Sequence, residues 1–343
     1  MHKENKNQER LYIQHEGKVI ETGGRFKHIM AIALNPKSAY ADGIARCIVS
    51  REGDLGVKGY VDRSELYKIK KVSDDKFEIT DVLQMANSEK IIDKYSQGLD
   101  FLGPEDPDIW IGEHGEIHVY FTLPFINKNE HGKNKIHLGH ATGKDMDHLE
   151  MTEPALVADS VGSAKELSVA PANKNGVRLN LVESSKRESD FNYSVVRVAV
   201  AERMELPWRF GDIVFHPKEH NLPWIGGHAS PGPLLPKEFI DLGGSKLLGI
   251  MNGREANRKA GEKTIYGVFS VGLFVYDYEN GLIEWVSPEP LIIDSEAKII
   301  TFASQFVPTG KGKGILYAHI DDSFVRAYSL QSDWLRRKLD SAF

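Results

Sequence analysis

The amino-acid sequence predicts an all-β protein in which many short antiparallel strands form a closed arrangement of sheets. Long apolar repeats of helical period are almost absent from the 343 residues. Short apolar or alternating runs, bounded by Gly, Pro, Asn and Asp, recur instead from end to end. The turn signals between these runs, such as those at 113–115, 173–176 and 279–281, are typical of hairpins and not of crossover helices.

The individual strand predictions come from short runs rich in β-branched and aromatic residues. In chain order, the clearest predicted strands span residues 45–50, 117–123, 177–182, 194–201, 246–251, 268–276 and 314–319. Helices are predicted only at 81–94 and 329–339, where the second has cations near its C-terminal end.

The exposed edges of so many strands need protection, and a closed ring of four-stranded blades provides it. Five blades of roughly 60 residues would use up the chain, although no motif repeats at that period. We therefore expect one catalytic domain over residues 1–343. Residues 1–25 are predicted to be an N-terminal extension, and residues 329–343 a closing C-terminal segment.

Composition excludes several classes of function. The formal net charge is −6 with both signs interspersed, so no basic face is predicted for nucleic acid. The one cysteine, Cys47, lies beside Ile48 and Val49 and is predicted to be a buried core residue. The chain has no Gly-rich phosphate loop, no Gly-x-Ser-x-Gly elbow and no histidine spacing typical of zinc. No cofactor and no metal are predicted.

No membrane segment is predicted either. The first ten residues lack an apolar core for a signal peptide, and no run reaches the ~18 apolar residues that a span needs. We therefore expect no membrane partner and place the protein in the cytoplasm by default.

The most informative stretch for chemistry runs from Gly103 to Ile111. It holds two carboxylates, Glu105 and Asp106, between two prolines that restrict the backbone. A rigidly aimed carboxyl group is what a general acid needs. A strand-entry turn with solvated acids is the alternative interpretation.

Segments in the same order resemble those of glycoside hydrolase family 130, the β-mannoside phosphorylases and mannosidases, over about residues 29–330. Glu105-Asp106-Pro107 resembles the Glu-Asp-Pro-Arg signature of that family. Arg51 is similar to its Leu-Tyr-Arg arginine, and Lys165 to the lysine of its Lys-Asp-Ala-Ala-Leu-Phe-Pro segment. The loop around His228 resembles its Gly-x-Gly-x-Pro-Pro loop, and Asp321 stands at the aspartate of its Tyr-Tyr-Gly-Ala-Ala-Asp-Thr segment.

This resemblance implies a five-bladed β-propeller in which Asp106 is the general acid. It also implies a set of contacts to an oligosaccharide substrate, which are Arg51, Glu105, Lys165, His228, Asn252 and Asp321.

Two departures from the family pattern bear on the reaction. Glu183 stands where the phosphorylases have a His-Arg pair, and a carboxylate repels phosphate but can activate water for inverting hydrolysis. Asn252 stands where they have a phosphate-binding histidine at the end of a later strand. In addition, Asp108 replaces the signature arginine, which removes a contact to sugar or phosphate. We therefore predict an inverting glycosidase for β-mannosides or related short oligosaccharides, with Asp106 as the acid and Glu183 as the base.

Three alternatives stay open. A phosphorylase on the same fold would use inorganic phosphate, with Lys186, Arg187 and Arg254 as substitute cations. An arabinosidase or xylosidase like those of family 43 would place its acid at Glu183, but the first-blade base has no clear counterpart at Asn35-Pro36. A propeller that binds carbohydrate without chemistry is the third. The sugar, the linkage and the oligomeric state are left open by the sequence.

Overall fold

The computed structural model describes residues 11–127, 134–159, 162–189, 191–205 and 207–340. Within these ranges lie 24 strands and only two α-helices, α1 (Ser88–Ser96) and α2 (Ser332–Asp340). Short 3₁₀ turns occur at Pro36–Ser38, Pro217–Glu219 and Pro223–Ile225. The predicted all-β class is confirmed.

The strands form five groups that follow one another along the chain. After β1 (Tyr12–Gln14), the first group contains β2 (His28–Leu34), β3 (Asp42–Glu52), β4 (Val61–Ser73) and β5 (Lys76–Val82). The second contains β6 (Met85–Ala86), β7 (Asp100–Phe101), β8 (Glu105–Ile111), β9 (Ile117–Ile126), β10 (Lys135–Gly143) and β11 (Leu149–Met151).

The third group contains β12 (Ala164–Ser168), β13 (Arg178–Glu188), β14 (Phe191–Ala201) and β15 (Arg209–Phe215). The next strands are β16 (His228–Leu234), β17 (Lys246–Arg254), β18 (Arg258–Ala260), β19 (Lys263–Ile265), β20 (Phe269–Asp277) and β21 (Leu282–Val286). Four of these, β16, β17, β20 and β21, form the fourth group, and β18 and β19 form a separate hairpin. A parallel pairing of Ser194 in β14 with His228 in β16 joins the third and fourth groups into one eight-stranded sheet. The fifth contains β22 (Thr301–Gly310), β23 (Lys313–Ile320) and β24 (Phe324–Gln331), with β1 added beside β24.

One strand from each group faces the centre of the molecule. These inner strands are β2, β8, β12, β16 and β22, and they contact one another in that cyclic order, with β22 returning to β2. Each inner strand also has a register shift against its neighbour, at positions 30–32, 105–108, 165–167, 231–234 and 303–305. Such bulges re-aim side chains and are common beside active sites. The ring therefore has a bulge from every inner strand.

The chain ends take part in this fold. Tyr12–Gln14 pairs with β24, and Val19 and Ile20 are buried in the core. Residues 12–20 are thus part of the fold, and not the extension predicted for residues 1–25; residues 1–10 lie outside the described ranges. At the other end, Leu335 and Leu339 of α2 pack into the core, as expected of a closing segment.

All seven predicted strands lie within or overlap observed ones, but the first predicted helix is misplaced. The prediction for 81–94 was based on local pattern, whereas the chain stays extended through β5 and then forms β6, which pairs with β11. The helix begins only at Ser88. Pairing with a distant strand here outweighs local helical preference.

Cys47 and Trp224 are both buried in the core, as predicted from the sequence. Cys47 is fully buried, and burial raises the pKa of its thiol to about 12. Trp224 is buried between strands of the third and fourth groups, as expected for aromatic residues that fill the spaces between blades. Among the described residues, no helix is long and apolar enough to cross a membrane.

Candidate active site

The bulges of the inner strands enclose a hollow at the centre of the ring. Its volume is about 10 Å³, which is room for about one water molecule. Three carboxyl-bearing residues line it, together with small residues from the other inner strands: Asp106, Asp108, Glu166, Ala31, Gly232 and Ser304. Asp106 meets Asp108 and Glu166 there, whereas Glu183, the other predicted catalytic carboxylate, does not line the hollow. At this volume the hollow is too small for a sugar.

Asp106 is held rigidly at the bulge of β8. Its backbone φ is +45°, a value that is uncommon outside glycine and is found where the surrounding structure enforces it. Its side chain is only 8% exposed, and its Oδ1 accepts a hydrogen bond of 2.8 Å from Nη1 of Arg46. The predicted general acid is thus buried at the axis and fixed by a cation.

Arg46 itself was missed by sequence reasoning. Its other nitrogens donate to Glu105 Oε1 at 2.6 Å and to Ser64 Oγ at 2.8 Å, so the guanidinium joins two neighbouring carboxylates. The carboxylates raise the pKa of Arg46 although burial lowers it. The available signal was a lone charge within the apolar run 44–49.

The carboxyl groups around Asp106 favour their protonated forms. Burial, and then the charge of Asp106, raise the pKa values of Glu166 and Asp108 well above the ordinary range. Burial raises the pKa of Glu105 to about 7, although Arg46 lowers it. Within the described ranges, no three His, Cys, Asp or Glu side chains are placed to hold a metal ion.

A second cluster brings Lys165, Glu183 and His228 together. Nζ of Lys165 lies 3.4 Å from Glu183 Oε1, and Nε2 of His228 lies 2.9 Å from Glu183 Oε2. Although burial raises it, these two partners hold the pKa of Glu183 far below the ordinary range. Glu183 is only 1% exposed. The predicted base is therefore an ionised carboxylate whose two oxygens already have partners.

Lys165 connects this cluster to the acid. Its ammonium interacts electrostatically with Glu183, Glu166, Asp106 and Glu105, and these charges raise its pKa although burial lowers it. Its side chain is 28% exposed. The two predicted catalytic carboxylates thus border the same accessible cation.

Arg254 is a cation without a carboxylate partner. Its guanidinium lies 4.6 Å from the ring centre of Tyr266 and 5.3 Å from that of Phe269, and its buried Nε has no hydrogen-bond partner. Burial lowers its pKa, whereas Tyr266 and Glu183 raise it. Among the residues that the structure describes, no acid lies within ion-pair distance of it. Its charge is available to a ligand.

Arg51 lies in a third cluster beside the same site. Its guanidinium makes two bonds to Asp62, of 2.7 and 2.6 Å, and one to the backbone oxygen of Asp322. The Asp322 carboxylate accepts from the hydroxyl of Tyr60 at 2.9 Å and lies 3.0 Å from Nδ1 of His319. Although burial raises it, the His319 contact and the charge of Arg46 lower the pKa of Asp322 to about 2.

Two predicted sugar contacts have structural tasks instead. The amide of Asn252 donates to the backbone oxygen of Ala303 and accepts from its N–H, which ties β17 to β22. The carboxylate of Asp321 accepts three backbone N–H groups, from Lys298, Ile299 and Ile300. We assign neither residue to the substrate, because backbone groups occupy their polar atoms. The adjacent Asp322 faces the charged cluster.

No protein-family model and no curated protein sequence matches this chain. Solved structures do. A β-1,2-mannobiose phosphorylase from Listeria innocua, in complex with β-1,2-mannobiose, has a TM-score of 0.62 at 12% identity and covers 92% of each chain. The chain shares the fold of this enzyme.

Two further structures have the same fold. One is from glycoside hydrolase family 130, described as mannoside phosphorylases that include hydrolases of β-1,2-mannosidic linkages in Candida mannan. Its TM-score is 0.59 at 16% identity, over 90% of this chain and 85% of the other. The other is a mannose phosphorylase from Leishmania mexicana in complex with a phosphate ion. Its TM-score is 0.56 at 14% identity, over 95% and 91%. The chain therefore shares one all-β fold with these proteins.

Because the pKa of Asp108 is raised, the free energy of unfolding is predicted to depend on pH. A carboxyl group with a higher pKa in the folded than in the unfolded state takes up a proton on folding, so its contribution to stability is lost as pH rises above about 4. Each pH unit of separation corresponds to about 1.4 kcal/mol. We expect Asp108→Asn to raise the free energy of unfolding at pH 8 and to change it little at pH 4.

Urea denaturation at both pH values measures this difference. Asp74→Asn, in the exposed turn between β4 and β5, is the matched control and should show no pH-dependent gain. An equal effect of Asp108→Asn at pH 4 and pH 8 would contradict the assignment.

Proposed function

We propose that this protein cleaves short β-linked mannosides or related oligosaccharides with inversion, and that Asp106 is the general acid. The observation that carries the proposal is the position of Asp106 at the ring axis. There a carboxyl group is fixed by Arg46 and surrounded by carboxyl groups that favour protonation. Proteins with this fold act on mannosides, which supports the choice of sugar.

We infer further that the five groups of strands are the blades of a single five-bladed β-propeller. The cyclic contacts of the inner strands support this architecture, as do the five bulges around one hollow and the addition of β1 to the last group. The described residues then form one domain, and the active site lies at the end of its axis.

The sugar is proposed to bind at the mouth of the water-sized hollow. Lys165, Tyr266 and Arg254 are partly exposed and interact electrostatically with one another or with Glu183. They offer an ammonium, a phenol group and a guanidinium as hydrogen-bond donors. His228 and Arg51 act indirectly, since their polar groups hold Glu183 and Asp62. Glu105 likewise holds Arg46 in place.

Glu183 is the proposed base of the hydrolytic reaction. Inverting enzymes keep their two carboxyl groups about 6.5–9.5 Å apart, so that a water fits between the base and the sugar. Glu183 shares Lys165 with Asp106 as an electrostatic neighbour, which supports carboxylates on either side of one space. To act as a base, Glu183 must exchange one of its present partners for that water.

Phosphorolysis is the second candidate, and Arg254 favours it. Lys165 forms an ion pair with Glu183, and His228 contacts the other oxygen of that carboxylate, so the repulsion of phosphate by Glu183 is reduced. The unpaired guanidinium of Arg254 is suited to a phosphate oxygen. A protein of the same fold has been seen with a phosphate ion.

Product analysis on a panel of β-mannosides, with and without phosphate, separates these candidates. We expect reducing sugar to be released in phosphate-free buffer. Turnover that requires phosphate and yields a sugar 1-phosphate would establish phosphorolysis instead. Arabinosides and xylosides in the panel test the family 43-like alternative, and turnover of no glycoside would leave a carbohydrate-binding propeller.

Arg254→Met provides a second test of whether the acceptor is phosphate or water. In a phosphorylase, the substitution should raise the KM for phosphate at least about tenfold, since a charge-assisted bond to an anion contributes about 1.5–3 kcal/mol. In a hydrolase, added phosphate should have no effect in either protein. Arg203→Met, on an exposed side chain, is the matched control.

A further inference from the structure

Two carboxyl groups line the same hollow at the ring axis. Asp106 and Glu166 occupy the bulges of the inner strands β8 and β12, which contact each other, and their side chains lie within hydrogen-bonding reach. Two ionised carboxylates this close repel each other and have no proton to share. A proton held between them removes this repulsion.

The surroundings of each group indicate where that proton resides. Oδ1 of Asp106 accepts a hydrogen bond of 2.8 Å from the Arg46 guanidinium and forms an ion pair with it. Burial and the charge of Asp106 raise the pKa of Glu166. The proton is therefore on Glu166, whose hydroxyl donates to the carboxylate of Asp106.

Other charges near the pair change the pKa of Glu166 in opposite directions. Lys165 favours an ionised Glu166, whereas the charge of Glu183 opposes it. Asp108 and His319 line the same hollow, and Arg46 and Glu105 adjoin Asp106. The negative neighbours and burial together outweigh Lys165 at Glu166.

The backbone holds both groups in this arrangement. Glu166 has a φ of +53° and Asp106 a φ of +45°, values that are uncommon outside glycine. Ala31, at the bulge of β2, also has a φ of +45°. This conformation therefore belongs to the inner-strand bulges, and at β8 and β12 it directs both carboxyl groups into the hollow.

We propose that Glu166 is a positioning residue that supplies the proton which Asp106 passes to the leaving oxygen. The inference rests on the proposed function. As the bond from the anomeric carbon to the glycosidic oxygen breaks, its electron pair stays on that oxygen, which takes a proton from Asp106. Asp106 takes the proton of Glu166 in the same event. The oxygen of the attacking water forms the new bond to the anomeric carbon and gives a proton to the base Glu183. Exchange with solvent then removes that proton from Glu183 and returns one to Glu166.

Glu166→Gln tests this role, because an amide can donate to Asp106 but has no acidic proton to pass on. On β-mannosides with unactivated leaving groups, kcat/KM at pH 7 should fall about 10–100-fold, within the range expected for acid catalysis. The high-pH limb of the profile should move to lower pH by at least about one unit. On dinitrophenyl mannosides, whose leaving group needs no proton, kcat should stay within about threefold of wild type.

A merely structural role for Glu166 predicts another pattern. Loss of site geometry would lower activity on both substrate classes equally and leave the pH profile in place, and that result would overturn the proposal. Glu238→Gln, on an exposed side chain outside the site, should change neither activity nor profile. Glu166→Asp keeps an acidic proton and should recover part of the lost activity.

Direct titration separates this inference from the proposed function. Carbon-13 NMR of the carboxyl groups should show that Asp106→Asn lowers the titration midpoint of Glu166 by at least about one pH unit, as expected for a coupled pair. An unchanged midpoint overturns the proposal whatever the activity. Coupling without turnover of any glycoside overturns the proposed function, and with it the role of Glu166 in catalysis.

Discussion

Replacing Asp106 by Asn should lower kcat/KM on unactivated β-mannosides by about 10²–10⁴-fold, the usual contribution of a general acid. The unfolding temperature should stay nearly unchanged. The asparagine oxygen can still accept from Arg46 at the position of Oδ1, and the substitution removes a negative charge beside Glu166 and Asp108. The protein thus loses its proton donor but keeps its fold.

Rates on paired substrates check this prediction. The loss should be far smaller on dinitrophenyl mannosides than on mannobiose, because only the poorer leaving group needs protonation. Thermal unfolding of the same samples provides the control for folding. If Asp106→Asn turns over mannobiose at the wild-type rate, Asp106 is not the acid. If Glu183→Gln instead loses activity on mannobiose but not on dinitrophenyl mannosides, Glu183 is the acid, and the family 43-like alternative gains support.

Replacing Arg46 by Met should lower the free energy of unfolding by about 3–5 kcal/mol at pH 8, the typical cost of removing one member of a buried ion pair. Arg46 is 7% exposed and donates to Glu105, Asp106 and Ser64. Without it, two neighbouring carboxylates at the ring axis lose their shared cation. The effect should shrink at pH 5, where the carboxyl groups can take up protons instead.

Urea denaturation at pH 8 and pH 5 measures this effect. Arg46→Lys keeps the charge but not the forked geometry, so its loss should be smaller. Arg203→Met, on a side chain that is 65% exposed, should change stability by less than about 0.5 kcal/mol. Combining Arg46→Met with Glu105→Gln and Asp106→Asn should recover part of the lost stability. A loss below about 1 kcal/mol for Arg46→Met alone would show that the carboxylates do not depend on it.

The two predicted catalytic carboxylates differ in whether they must rearrange before the proposed reaction. Asp106 and its protonated neighbours already form a proton-donating group. Glu183 is fully partnered by Lys165 and His228, so a catalytic base there requires a rearrangement on substrate binding. Product analysis must therefore decide first whether water or phosphate attacks the anomeric carbon.

The sequence by itself determined the all-β class, the positions of most strands and the burial of Cys47. It also singled out the proline-flanked pair Glu105 and Asp106, from which the resemblance to family 130 selected Asp106 as the acid. These features depend on short-range chemistry: alternation and turn residues define strands, and two prolines constrain the backbone around Asp106. The resemblance to family 130 added the fold, which solved structures share.

Only the tertiary structure decided which charges meet. Arg46 and Asp106 are 60 residues apart, and Glu183 and His228 are 45 apart, on strands of different groups. Local pattern does not specify such contacts. Closure of the ring places Glu166 beside Asp106 and pairs Glu183 with Lys165 and His228. Among the described residues, it leaves Arg254 without an acid within ion-pair distance. The protonation state of a buried group depends on these neighbours and on its loss of water, and both are fixed by the packing of distant strands.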